Sequence, residues 1–178
     1  MAHAKDFGAV GDGKADDTAE LQHAINDGER LVVIPHGTYR ITKPLVVDLD
    51  KVGFTGISGD GGTAKIVMDG PGPALRMVGT HQGTADPPSF KPNVWQSQRM
   101  PTVSGLEIVG NHPEAIGIQL ERTMQATLTG VLIRKCKYGI HLITRNRNTL
   151  ISHCHIYDGA GKEAIGIYLD GCDLHQIN

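Results

Sequence analysis

The chain has few aromatic residues, no excess of basic charge, no paired set of cysteines and no long apolar run. Tyrosine, phenylalanine and tryptophan make up 4% of its 178 residues, and Trp95 is the single tryptophan. Apolar packing therefore has to come from Ile, Val and Leu rather than from large rings. Lys and Arg number 17 against 19 Asp and Glu, a formal charge of −2. That balance removes the electrostatic basis for binding nucleic acid or an anionic membrane. Cys136, Cys154 and Cys172 are odd in number and form no CxxC, so buried free thiols are expected rather than disulfides or a zinc site. No apolar stretch approaches the length of a membrane span. Met1-Ala2-His3 run almost directly into Asp6-Phe7-Gly8, so location in the cell is not readable from the residues themselves.

What is present is glycine, 23 of them, and many short aliphatic pieces. Gly8, Gly11 and Gly13 punctuate the first turns. Asp17 precedes Glu20 by three residues, which predicts a capping box with Asp17 as N-cap. Leu21, Ala24 and Ile25 then fall on one face of a short helix over residues 17–27, ended by Gly28. Residues 31–42 predict two short strands around the turn Pro35-His36-Gly37. Further apolar pieces lie at residues 45–47, 52–54, 66–68 and 75–78. Residues 80–101 are polar, proline-rich and aperiodic. A loop of that length inside a compact domain is often functional.

The second half repeats. Ala115-Ile116-Gly117-Ile118-Gln119-Leu120 recurs as Tyr138-Gly139-Ile140-His141-Leu142 and as Ala164-Ile165-Gly166-Ile167-Tyr168-Leu169, with the glycines 22 and 27 residues apart. Ile108, Ile133 and Ile156 mark a second series, 25 and 23 residues apart. The insert at residues 158–163 accounts for the longer step. Two short strands per unit of this length predict an all-β solenoid, in which each coil buries its apolar face only against its neighbours. Alternation places Ile108, Ile116, Ile118, Leu120, Val131, Ile133, Ile140, Leu142, Ile156, Ile165, Ile167 and Leu169 inside. The exposed end of such a stack needs a cover, and the helix at residues 17–27 is placed to supply it. Leucine-rich repeats would show an L-x-x-L-x-L string with Asn, which is missing. A doubly wound α/β fold would need more than one helix.

Asp6-Phe7-Gly8-Ala9-Val10-Gly11-Asp12-Gly13, Asp16-Asp17-Thr18 and Leu21-Gln22-His23-Ala24-Ile25, followed by Ile34-Pro35-His36-Gly37-Thr38-Tyr39-Arg40-Ile41, resemble the N-terminal signature of the pectate-lyase superfamily. The resemblance implies a right-handed single-stranded parallel β-helix with an N-terminal capping α-helix. It divides residues 1–178 into a cap at 1–30 and coils at 31–178, with the long loop at 80–101. It also implies a polysaccharide-processing protein, lyase or glycoside hydrolase, secreted or periplasmic, with these as its N-terminal coils. A carbohydrate-binding or tailspike-like module without catalysis is the alternative. The polygalacturonase catalytic pattern (Asn-Thr-Asp, Asp-Asp, Gly-His-Gly, Arg-Ile-Lys) is missing, so no catalytic residue carries over.

Gln119, His141 and Tyr168 occupy equivalent outward positions, with Glu121, Ile143 and Asp170 two residues on. Such a row suits a sugar chain and equally suits a solvated face. A second row, Glu107, Leu132 and His155 beside Val109, Arg134 and Tyr157, offers Arg134 to a uronate carboxylate, so an acidic glycan is one partner considered. His153 and His155 flank Cys154 without a third metal ligand of fixed spacing. No cofactor is called for, although Asp48, Asp50, Asp170 and Asp173 are carboxylates of the kind Ca²⁺ takes. Trp95 and Phe90 either stack on a sugar ring or pin the long loop to the wall. Because no cap follows the coil begun at Asp170, a homodimer through residues 150–178 is expected. The rival is that Asp170 to Asn178 fold over the end.

Overall fold

In the computed structural model, which describes residues 1–28, 30–84 and 86–170, the chain winds into a right-handed parallel β-helix. Each coil after the first contributes one strand to each of three sheets, in the order A, B, C, and the first contributes only to A and B. Sheet A stacks Ala2–His3, Leu31–Ile34, Gly56–Gly59, Thr102–Ser104, Thr127–Thr129 and Leu150–Ser152. Sheet B stacks Asp12–Asp16, Gly37–Ile41, Ala64–Met68, Leu106–Gly110, Leu132–Arg134 and His155–Tyr157. Sheet C stacks Leu45–Asp48, Gly72–Val78, Ala115–Glu121, Tyr138–Ile143 and Ile165–Asp170. The repeat reading found sheets B and C. It missed sheet A, whose three-residue strands, such as Thr102-Val103-Ser104, bury only their middle residue.

The first turn shows how the stack is closed. Its sheet A and sheet B strands lie within the segment assigned to the cap. The helix Thr18–Asp27 stands where a sheet C strand would follow them. Leu21, Ala24 and Ile25 are its buried face. Gln22 shields the edge strand Leu45–Asp48: its Nε2 donates to the Val46 carbonyl (2.8 Å), and its Oε1 accepts from the Val46 N–H (2.7 Å). One amide side chain thus replaces the hydrogen bonds a further strand would make.

The capping box does not form. Asp17 sits at the N-cap position, but its side chain makes no cap bond. It turns back instead to accept the N–H groups of Val10 (2.6 Å) and Gly11 (3.0 Å). This holds the glycine-rich turn against the buried Tyr39 ring. A Cβ on Gly11 would come within 2.8 Å of that ring, and its φ is +69°, so the position requires glycine. Asp16 takes over the helix start, accepting from the Thr18 N–H and hydroxyl.

The interior column contains Ile108, Ile118, Leu120, Val131, Ile133, Ile140 and Leu142, all buried as expected. Ile156 is half-buried against it. Ile116 is not inside. It pairs in register with Pro73 and Tyr138 and is half-buried, because the inward positions of that strand are Ala115, Gly117, Ile118 and Leu120. Gly117 faces the Ile133 side chain of sheet B, which a Cβ would meet at 2.7 Å. The repeated glycine is therefore a packing device that lets an isoleucine of one sheet reach the backbone of another. Ile165, Ile167 and Leu169 stand in register with Tyr138, Ile140 and Leu142 but are exposed. No further described strand stacks on them.

Candidate functional site

Sheet C presents two chemically mixed outward rows. In-register pairing aligns Val46, Arg76, Gln119, His141 and Tyr168 in one, and Asp48, Val78, Glu121, Ile143 and Asp170 in the other. Successive members are one strand spacing apart, about 4.8 Å. Parallel stacking brings residues from distant coils together, because outward side chains at equivalent positions must neighbour one another.

These side chains hold each other. The Arg76 guanidinium lies 2.7 Å from Glu121 Oε2. Gln119 Nε2 lies 3.2 Å from His141 Nδ1, and an amide donor there leaves the ring proton on Nε2. His141 Nε2 is buried with no hydrogen-bond partner among the described residues, 3.5 Å from Asp170 Oδ2. The His141 residue is only 8% exposed, because Tyr168 stacks on it at 5.1 Å and 11° and Tyr138 meets it edge-on at 5.0 Å. His141 and Tyr168 thus lie face to face, and Tyr138 is tilted against both. Lys137 closes the near side, bonded to Glu114 at 2.6 Å and 5.6 Å from the Tyr138 ring.

The long loop borders the far side. It leaves sheet C after Val78, where the Gly79 N–H donates to the Glu121 carbonyl and the His81 N–H to the Arg122 carbonyl. It contains a short π-helical turn, Val94–Gln98, which no periodicity announced. Gln98 ties it down, accepting from the Thr80 N–H and donating to Asp50 Oδ1. Arg147, from two coils further on, donates to the carbonyls of Thr84 (3.0 Å) and Asp86 (3.1 Å). Trp95 stacks on Phe90 at 5.3 Å, and Arg99 lies 4.3 Å from the Trp95 ring. Trp95 remains 38% exposed, pinned to the loop yet open on one side.

Of the residues singled out from sequence, Gln119, His141, Tyr168, Glu121 and Asp170 come together on this face, and Trp95 lies in the bordering loop. Arg134 does not join them. It belongs to sheet B, where its Nε bonds Glu107 at 2.8 Å while Lys65 holds the other oxygen at 3.2 Å. That bond to Glu107 raises the Arg134 pKa. Arg76 and Tyr138 were missed as site residues. Aligning Leu75-Arg76-Met77-Val78 with Ile118-Gln119-Leu120-Glu121 would have found Arg76. Asp48 and Asp170 share a row but stand four strand spacings apart. Asp173 and Cys172 lie outside the described residues, as do all of residues 171–178 of the end expected to self-associate. Among the described residues no group of three or more His, Cys, Asp and Glu converges as for a metal, and no helix is long and apolar enough to cross a membrane.

Three stacked parallel sheets and a helix over the first coil define a right-handed parallel β-helix, with a polar ladder on the outer face of sheet C. Residues 1–75 match the family model described as rhamnogalacturonase A/epimerase, pectate lyase-like, in agreement with the resemblance of the N-terminal residues. A probable glucan endo-1,3-beta-glucosidase of Arthroderma benhamiae is 36% identical over 80 residues, 38% of this chain and 9% of that protein. Among solved structures, Geobacillus virus E2 ORF18 superposes with a TM-score of 0.68 at 19% identity, over 95% of this chain and 38% of the viral one. The Azotobacter vinelandii mannuronan C-5 epimerase AlgE4 A-module gives 0.65 at 21% identity, over 97% and 50%. The chain thus spans half or less of each of these proteins.

Proposed function

We propose that this chain belongs to a polysaccharide-processing protein, lyase or glycoside hydrolase, and that glycan lies across the outer face of sheet C. The observation that carries the reading is His141. A polar ring atom is enclosed with no hydrogen-bond partner among the described residues, a costly arrangement beside the half-exposed Asp170 carboxylate. It sits between Gln119 and Asp170 in a row open to solvent. The long loop and Lys137 wall the row on either side, which suits an extended chain of hydroxyls. Relatives named for acting on a glucan and a mannuronan make a carbohydrate the natural occupant.

A binding module without catalysis is the second reading. It is favoured by Arg76 and Glu121 being committed to each other and by the missing polygalacturonase motifs. Incubation with a panel of polysaccharides separates the readings. New reducing ends without an unsaturated chromophore signify hydrolysis, and the chromophore signifies elimination. Retention on a polysaccharide with neither product supports the module, and no interaction with any glycan sinks both.

A further inference from the structure

Resting on the reading that sheet C carries the glycan, we propose that this face selects neutral polysaccharides and rejects polyuronates. Recognition of a uronate needs a cation or a forked donor facing each carboxylate. Among the described residues Arg76 is the only Lys or Arg in the two outward rows, and its guanidinium is paired with Glu121. The same row carries Asp48 and Asp170. Asp48 has Lys51, from the turn beyond, at 3.0 Å, and among the described residues Asp170 pairs with the His141 ring alone, at 3.5 Å.

The borders add little positive charge toward the row. Lys137 is bonded to Glu114. Arg147 is spent on loop carbonyls, and Arg99 lies on Trp95. Arg122 follows Glu121, with its Nε enclosed. A polyuronate laid along the coils would bring one negative charge per sugar against a row in which the cations near Glu121 and Asp48 are already paired and Asp170 carries a further carboxylate, and like charges in apposition weaken binding. Neutral sugar hydroxyls donate to those carboxylates, and Asp170, beside the enclosed His141 ring, is 54% exposed to them. The rings of Tyr138 and Tyr168 offer contact to sugar C–H groups.

Native affinity electrophoresis of the 178-residue chain at low ionic strength tests this, with gels containing polygalacturonate, alginate, laminarin, dextran or galactomannan. At least one neutral gel retards the protein, and neither polyuronate does. A Glu121→Gln, Asp170→Asn double variant removes two negative charges and releases Arg76. It then gains retardation in a polyuronate gel, and the gain disappears on adding salt. Retardation of the unaltered chain by a polyuronate, or a double variant without that gain, overturns the selectivity and leaves the sheet C reading standing. Failure in all five gels overturns the sheet C reading and the selectivity with it.

Discussion

Asn146 lies in Thr144-Arg145-Asn146-Arg147-Asn148, a stretch that reads as a polar loop, yet it is buried. Its Oδ1 accepts from the Thr123 N–H (3.0 Å) and hydroxyl (2.8 Å), and its Nδ2 donates to the carbonyls of Leu120 (2.9 Å) and Ile143 (2.8 Å). One side chain thus satisfies the corner between two coils. Asn146→Ala leaves those groups enclosed and unpaired, a loss of about 2–4 kcal/mol that urea denaturation would measure. No local pattern announced this residue, because all its partners except the Ile143 carbonyl are about one coil away. Cysteine was more legible. Burial pushes the Cys136 thiol up to about 11, and Cys154 is half-buried. A thiol reagent at neutral pH should therefore modify Cys154 before Cys136, which should react only on unfolding. Early modification of Cys136 would contradict the packing described. The repeat glycines were legible as a pattern but not as a cause. Gly139→Ala puts a methyl group 2.5 Å from both the Gly166 carbonyl and Ile156, with an expected loss of about 1–3 kcal/mol.

The cap helix was predicted in position and apolar face, and its polar chemistry was not. Sequence spacing made Asp17 the N-cap, whereas the fold uses it to clamp a turn. The competition is between a local bond and the two N–H groups of Val10 and Gly11, which the turn presents at once. Gln22 gave no signal, because its role depends on an edge strand 24 residues on. Gln22→Ala would unmask the Val46 backbone and should increase aggregation, read by light scattering at unchanged secondary structure. The acids beside the helix set a pH dependence. Asp69 is held below the usual carboxylate range by the Asn111 amide and then by Arg40, and Asp16 by the hydroxyls of Thr18 and Thr42. Folded-state values below the unfolded ones stabilise the protein above the unfolded carboxylate pKa of about 4, and that stability is lost as pH falls through the folded values. Asp69→Asn should flatten the acid limb of a stability–pH curve and lower its neutral plateau. In the long loop, Arg147→Ala removes two carbonyl bonds and should speed proteolysis within residues 80–101 without changing the melting of the coils.

At the scale of the whole molecule, the solenoid was legible because stacking repeats the same demand every coil: an aliphatic residue inside and a backbone bond above and below. Where the demand is weakest, in the three-residue strands of sheet A, the pattern fell below notice. The candidate face was half legible. Equivalent positions predicted that Gln119, His141 and Tyr168 would align, and the register aligns them. The depth to which His141 is enclosed depends on the packing of Tyr138 and Tyr168 around it, which alignment alone does not contain. Arg134 shows the limit in the other direction, since a residue of suitable chemistry in a neighbouring row belongs to a different sheet.

Hydrogen–deuterium exchange, run with and without the polysaccharide that most retards the protein, tests the placement of the glycan most directly. Protection should rise over residues 115–121, 138–143 and 165–170 and in the loop beside them, and stay unchanged over residues 102–104, 127–129 and 150–152 of sheet A. Protection confined to sheet A or sheet B, with sheet C unaltered, would contradict the account.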